Sequence, residues 1–204
     1  GRSPFAGRIQ SCVADLSQCG AELVVRAEWG AVAVAIFSPT LLAFAYSDVQ
    51  RGHRGTMVLC NVAGLTLICD GGHIFEREPM TGLAMTVSSD ADLGYEAMSS
   101  NLLVAYEVTK EEAGRSGRLQ PCEVTNMALR CDPRSAARFT DGPSHGITLL
   151  ALTSQFFVVA YADRQTVCPR PSSQRRRREL HVCTLADGHP SIGRMRLCHS
   201  AFRG

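Results

Sequence analysis

The sequence predicts an all-β fold built from antiparallel strands in repeated units of about 60 residues. Three observations support this class. Similar apolar segments recur along the 204-residue chain. These segments are rich in β-branched and aromatic residues and are separated by Gly, Pro, Asp and Ser. No stretch keeps the 3.6-residue period of an amphipathic helix. The chain is 45% hydrophobic, which is enough for a sizeable core.

Two of the recurring segments stand next to each other in each unit. In each copy of the second segment, the third residue from the end is a tyrosine. These tyrosines are Tyr46, Tyr106 and Tyr161, and they lie 60 and 55 residues apart. The copies of this second segment are LLAFAYSD (41–48), NLLVAYEV (101–108) and FFVVAYAD (156–163). The segments that precede them are AVAVAIFS (31–38), GLAMTVSS (82–89) and GITLLALT (146–153). The second segment is apolar on both faces, which indicates a strand buried between two layers.

Two further segments complete each unit. The third has the copies GRIQSCVA (7–14), GTMVLCNV (55–62), GRLQPCEV (117–124) and RELHVCTL (178–185). The fourth has the copies CGAELVVRAEW (19–29), TLICDGGHIF (66–75), ALRCDPRSAARF (128–139) and GRMRLCHSAF (193–202). The sequence therefore predicts one repeat domain over residues 1–204, with a half unit at 7–29 and full units at 30–80, 81–143 and 144–204.

Four antiparallel strands in each repeated unit are typical of a β-propeller blade. The VVAY-x-D segment, followed by a glycine and the third segment, resembles the FVVAY-x-D repeats of bacterial and algal propeller-like secreted proteins. This resemblance covers nearly the whole chain and implies a β-propeller-like fold, but it implies no particular reaction. The middle unit departs from the pattern, because Val108 stands where the other copies have Asp48 and Asp163. Those two aspartates are expected to accept backbone N–H bonds in turns at the strand ends.

The strand count of about 14, or about 3.5 blades, does not make a whole number of propeller blades. The chain is therefore predicted to form a partial or incomplete propeller. It is part of a larger propeller, borrows strands from a partner, or lacks its first two strands, and a partly open β-array is the structural alternative. An unclosed array exposes sheet edges that a partner protein is expected to cover.

Eight of the nine cysteines occupy equivalent places in the third and fourth segments. They form the predicted disulfide pairs Cys12 with Cys19, Cys60 with Cys69, Cys122 with Cys131 and Cys183 with Cys198. Placing Cys60 opposite Cys69 centres the hairpin on Gly64-Leu65, a loop with glycine first, as a type II′ turn prefers. The cysteines then form a non-hydrogen-bonded pair, whose close approach suits a disulfide.

The same construction for Cys122 and Cys131 centres the loop on Asn126-Met127, and asparagine tolerates positive φ. Cys12 and Cys19 enclose a tighter loop around Asp15-Leu16, and Cys183 and Cys198 enclose a longer one. Zinc knuckles use shorter spacings and four converging ligands, so no metal is predicted at these cysteines. Disulfides indicate an oxidising compartment. Cys168 is left unpaired, either as a buried spectator or as a link to another chain.

Two insertions are candidate sites. The segment PRPSSQRRRR (169–178) is either a solvated excursion or a docking, processing or anion-binding loop. Its arginines are Arg170, Arg175, Arg176, Arg177 and Arg178. In the middle unit, Asp90, Asp92 and Glu96 have part of the spacing of a calcium loop, but no bidentate glutamate follows at the required distance. They are a weak calcium candidate, and no metal or other cofactor is predicted.

No catalytic motif is present, and the sequence predicts a non-enzymatic structural or interaction subunit with other protein subunits as partners. The resemblance suggests a lumenal subunit of a membrane complex such as an algal photosystem. The alternative is a secreted carbohydrate-binding or glycan-processing propeller. The expected location is an extracytoplasmic oxidising compartment, secreted or in an organelle lumen such as the thylakoid lumen. The net charge of +2 indicates no nucleic-acid partner. The apolar run 30–46, which Pro39 interrupts, is too short to span a membrane.

Overall fold

The computed structural model describes residues 6–13, 15, 17–88, 99–110, 114–125, 128–153, 156–163, 177–186 and 189–197. Within these residues the chain consists of antiparallel strands in three sheets, with 3-10 turns at Val49–Arg51 and Pro133–Ser135 and no α-helix. The all-β, antiparallel class is therefore confirmed. No helix in this described part is long and apolar enough to cross a membrane. The apolar run 30–46 instead lies on two paired strands of the first sheet.

The first sheet contains six strands in the order β1-β2-β3-β4-β5, with β6 also paired to β4. The strands are β1 (Ala6–Ile9), β2 (Leu23–Ser38), β3 (Leu41–Asp48), β4 (Arg54–Ala63), β5 (Thr66–Cys69) and β6 (His73–Glu76). Strand β2 is 16 residues long. Its first half pairs with β1, its second half pairs with β3, and the register shifts between Trp29 and Val32, where the partner changes.

The second and third sheets follow along the chain. The second has the order β10-β9-β8-β7 with β11 also paired to β9, and the third has the order β12-β13-β14-β15. The strands are β7 (Met80–Ser88), β8 (Ser99–Lys110), β9 (Gly114–Thr125), β10 (Ala128–Cys131), β11 (Ala137–Thr140), β12 (Ser144–Ala151), β13 (Phe156–Asp163), β14 (Arg177–Ala186) and β15 (His189–Leu197).

The three sheets stack face to face, with the second sheet in the middle. One buried cluster joins the first and second sheets, and includes Ala43 and Ala45 on β3 and Leu102 and Val104 on β8. A second cluster joins the second and third sheets through residues such as Leu103 on β8. Strand β7 of the second sheet contacts β2 of the first sheet and β12 of the third sheet. These three strands therefore take corresponding places in successive layers.

A joint of one glycine, one aromatic ring and one tyrosine recurs where successive layers meet. At the joint between the first and second sheets, Phe75 covers Gly55, and its ring centroid is 5.5 Å from that of Tyr106. A Cβ atom on Gly55 would lie only 2.6 Å from the Phe75 ring, so only glycine fits there. Gly117, Phe139 and Tyr161 form the same joint between the second and third sheets, with ring centroids 5.1 Å apart. Gly7, Trp29 and Tyr46 repeat it within the first sheet, where β1 and the first half of β2 pack over β3, with ring centroids 5.4 Å apart.

Within the described part of the chain, three disulfides cross-link the outer hairpins. They join Cys12 to Cys19, Cys60 to Cys69, and Cys122 to Cys131, with Cα atoms 4.1, 4.0 and 4.3 Å apart. Cys60 lies directly opposite Cys69, as the turn argument predicts. Gly64 has φ of 60° whereas Leu65 is not among the residues with positive φ, which agrees with a type II′ turn.

In the third sheet, Cys183 lies opposite Phe157 and Ile192. Cys198, its predicted partner, lies outside the described residues. The fourth predicted disulfide therefore stays a prediction.

Candidate functional site

The first candidate site is an apolar stripe on the outer face of the first sheet. Val32, Val34 and Ile36 on β2 are 50%, 54% and 69% exposed. Because neighbouring side chains on a strand point to opposite faces, the alternate residues Ala33 and Ala35 turn inward and pack against the second sheet. The same strand thus carries a buried row of small residues and an exposed row of larger ones.

Only part of this outer face is covered. Ile9, Val25 and Trp29, from β1 and the first half of β2, pack over Phe44, Tyr46, Val58 and Cys60. The Trp29 ring lies 5.7 Å from that of Phe44. The cover protects β3 and β4 but leaves the stripe on β2 exposed, and an exposed apolar row of this kind is typical of an interaction site.

The second candidate site lies at the other end of the stack, on the outer face of the third sheet. Leu150 at 57% and Phe156 at 44% are exposed there, close to Leu152, which is 57% exposed in the loop that follows β12. Leu150 pairs with Val158 across the strands, while Leu149 and Phe157 face inward and pack against the second sheet. Both ends of the stack therefore present apolar residues to solvent.

A buried polar cluster ties the first sheet to the second. The Tyr106 hydroxyl oxygen lies 3.0 Å from Glu76 Oε2 and 2.9 Å from Gln120 Oε1, and its proton is donated toward these two acceptors. Arg118 donates to the same Glu76 oxygen at 3.1 Å and to Glu78 at 3.1 Å. Burial and the neighbouring Glu76 charge raise the pKa of Tyr106 far above its ordinary value. Tyr106 therefore stays protonated and acts as a permanent donor.

A second buried acid joins the middle and third sheets. Glu107 is 1% exposed and accepts a hydrogen bond of 2.9 Å from the Thr81 hydroxyl and one of 3.1 Å from the backbone N–H of Ser144. Arg115 lies 3.8 Å from the same carboxylate. These two hydrogen-bond donors and the positive charge of Arg115 compensate the buried carboxylate, so Glu107 acts as a connection between layers.

An open cleft of about 580 Å³ lies between the outer strands of the first and second sheets, lined in part by Arg51, His73, Arg130 and Asp132. The His73 ring nitrogen lies 3.0 Å from Asp70, and Arg51 Nε lies 3.5 Å from Asp48. Asp48 also accepts the backbone N–H of Arg51, the turn role expected for a strand-end aspartate. The Arg51 and His73 side chains that line the cleft therefore already have carboxylate partners.

Eight of the predicted site residues fall outside the described part of the chain. These are Cys168, Cys198, Arg170, Arg175, Arg176, Asp90, Asp92 and Glu96. Arg177 and Arg178 begin β14, where the backbone register places them opposite Asp163 and Ala162. Among the described residues no group of three or more His, Cys, Asp or Glu side chains is placed to hold a metal ion.

Sequence reasoning did not identify the residues that connect the layers. Arg118 and Gln120 alternate with Gly117 and Leu119 in the third segment, and Glu76 directly follows the aromatic residue of the fourth segment. Polar residues within these strand segments were the sequence signal for a buried polar cluster. The sequence did not identify their partners, because each partner comes from a different unit. The chain matches no protein-family model, no curated protein and no solved structure.

Proposed function

We propose that this chain is a non-enzymatic interaction subunit of a larger protein assembly, with a propeller-like but incomplete stack of repeats as its scaffold. The observation that carries the proposal is the pair of uncovered apolar faces at the two ends of the stack. Val34 on one end is 54% exposed and Leu150 on the other is 57% exposed. Apolar surface of this kind is stabilised when a partner removes it from water.

The recurring glycine–aromatic–tyrosine joint supports the propeller-like interpretation. Its three copies use the same segments in the same order, so each layer meets the next in the same way. Repetition of one radial contact is what a series of blades requires. An array with apolar ends fits a scaffold that is completed by other chains.

The buried acids support a structural rather than a chemical role. Glu76 and Glu107 are both engaged in hydrogen bonds that connect one sheet to the next. A general acid or base instead needs access to a reacting group.

The three disulfides are consistent with an oxidising extracytoplasmic compartment. Within that class, we propose an organelle lumen, with a subunit of a photosynthetic membrane complex as the specific form. This narrower proposal rests on the resemblance of the VVAY-x-D segments.

The test is native fractionation of the tagged chain from its own compartment, with the wild type compared with Leu150→Glu. The wild type is expected to migrate in a complex larger than its own mass of 22.0 kDa. Leu150→Glu should release it, whereas Ile68→Glu should not, because Ile68 is 61% exposed but lies on the outer hairpin strand β5.

Migration of the wild type as a lone monomer would overturn the proposal. So would glycan binding or hydrolysis by the purified chain, which would favour the carbohydrate alternative.

A further inference from the structure

We propose that the apolar stripe of Val32, Val34 and Ile36, together with the free edge of β1, is a docking site for a two-stranded β-hairpin supplied by a partner chain. The hairpin must present small side chains at alternate positions toward the stripe. This inference rests on the proposed function and names the kind of partner that one end of the stack binds.

The molecule itself shows what covers such a stripe. On β7, Met85 is the counterpart of Val34, since Val34 pairs with Phe44 and Met85 pairs with Val104, each two residues before a tyrosine. Met85 is only 8% exposed, compared with 54% for Val34. It lies in the buried cluster that includes Ala33, Ala35, Ala43 and Ala45 of the β2–β3 hairpin.

The third sheet repeats this arrangement. Leu149 on β12 takes the corresponding place, paired with Val159 and 8% exposed. It packs in the cluster that contains Ala84 of β7 and Ala105 of β8. In both cases a two-stranded hairpin with alanines on the inner face covers the row of larger residues.

The layer in front of the first sheet is half built. Strand β1 and the first half of β2 supply its outer part and already cover Tyr46 and Val58. Trp29 in this layer forms the same joint with Gly7 and Tyr46 that Phe75 forms with Gly55 and Tyr106. This layer already has its outer two strands, β1 and the first half of β2. Within the ranges that the structure describes, it lacks the inner two strands, which correspond to the β2–β3 and β7–β8 hairpins and would cover the exposed stripe.

The edge of β1 specifies how that pair would attach. Strand β1 stands at the end of its sheet's strand order, so one edge has no strand partner among the described residues. The corresponding strands β4 and β9 use that edge to pair with β3 and β8. A partner hairpin could add its second strand to β1 and so form hydrogen bonds with the backbone N–H and C=O groups of this edge. The side chains of the hairpin would then cover the stripe.

A partner chain fits this requirement better than a second copy does. Among the described residues, the hairpins that have the required pattern are β2–β3, β7–β8 and β12–β13. Each is already paired with the next strand of its own sheet. Docking one of them elsewhere would break that sheet.

The probe is a labelled synthetic peptide with the sequence of residues 31–48, AVAVAIFSPTLLAFAYSD, extended by lysines for solubility. Fluorescence anisotropy measures its binding to the full chain, and amide hydrogen exchange locates the site. We expect saturable binding, slower exchange at Ala6–Ile9, and at least tenfold weaker binding to Val34→Glu. The matched control Ile68→Glu should bind as the wild type does.

A peptide variant keeps the test independent of the protein's folding. Replacing Ala33 and Ala35 by leucine in the peptide enlarges the covering face and should abolish binding to the unaltered chain. No binding of the parent peptide, equal binding to Val34→Glu, or self-association of the chain that Val34→Glu disrupts would overturn the inference. The proposed function survives those results if Leu150→Glu still releases the chain from its native complex.

Discussion

The hydroxyl of Tyr106 is the most informative single atom to remove, because it connects two sheets and its ionisation is suppressed. Tyr106→Phe keeps the ring, and hence its edge contact with Phe75, but removes the donor to Glu76 and Gln120. A hydrogen bond to a charged group contributes about 1.5–3 kcal/mol. Since Arg118 still pairs with Glu76, we expect the free energy of unfolding at pH 7 to fall by about 2 kcal/mol.

The pH dependence of this difference provides a second measurement. Folding raises the pKa of Tyr106 above the ordinary tyrosine value of 10.0. Its contribution is therefore complete below pH 10 and decreases as the pH rises, because the unfolded chain then loses a proton that the folded chain keeps. The loss is about 1.4 kcal/mol per pH unit. The advantage of the wild type over Tyr106→Phe should shrink to roughly 0.6 kcal/mol at pH 11.

Urea denaturation followed by circular dichroism at pH 7, 9 and 11 measures both effects. Tyr46, whose pKa burial also raises, is present in both proteins, so its titration cancels in the difference. A difference that stays constant from pH 7 to pH 11, or a loss below about 0.5 kcal/mol at pH 7, would refute the role assigned to this hydroxyl.

Three further changes test the joints, the staples and the buried acid. In thermal unfolding, Gly55→Ala should destabilise by about 1–3 kcal/mol through overpacking, whereas Gly71→Ala, with open space around it, should be nearly neutral; equal effects would contradict the joint. Replacing both Cys60 and Cys69 by alanine opens a ten-residue loop and should lower the free energy of unfolding in urea by about 2.7 kcal/mol; an unchanged value would contradict the chain-entropy argument. Glu107→Gln should destabilise by about 1–2 kcal/mol and speed amide exchange at the first residue of β12; unchanged exchange there would argue against the connection between layers.

Local features of the chain were predictable from the sequence because neighbouring residues determine them. Gly64 sets the turn, the turn sets the register, and the register places Cys60 opposite Cys69. The fourth segment was less predictable in the first sheet, because it forms the two short strands β5 and β6 there instead of one. The reason is Asp70, which accepts the backbone N–H groups of Leu59 and Gly72 and so interrupts the pairing with β4.

The residues that hold the layers together depend on distant contacts. Glu76 and Tyr106 lie 30 positions apart, and Glu107 and Ser144 lie 37 apart. The spacing of strands within one unit contains no information on which polar group of the next unit will lie opposite. Only the stacked sheets bring these groups together.

The sequence by itself determined the alternation of each strand, the turns, and the cysteines that face one another across a hairpin. Only the tertiary structure decided which face of each strand is covered. Val34 and Met85 occupy corresponding places and look alike in the sequence, yet one is 54% exposed and the other 8%. The physical reason is that the alternation of side chains along a strand defines two faces, whereas burial of either face requires a second layer. The first sheet covers Met85 in the second sheet, but only β1 and the first half of β2 cover the corresponding face of the first sheet.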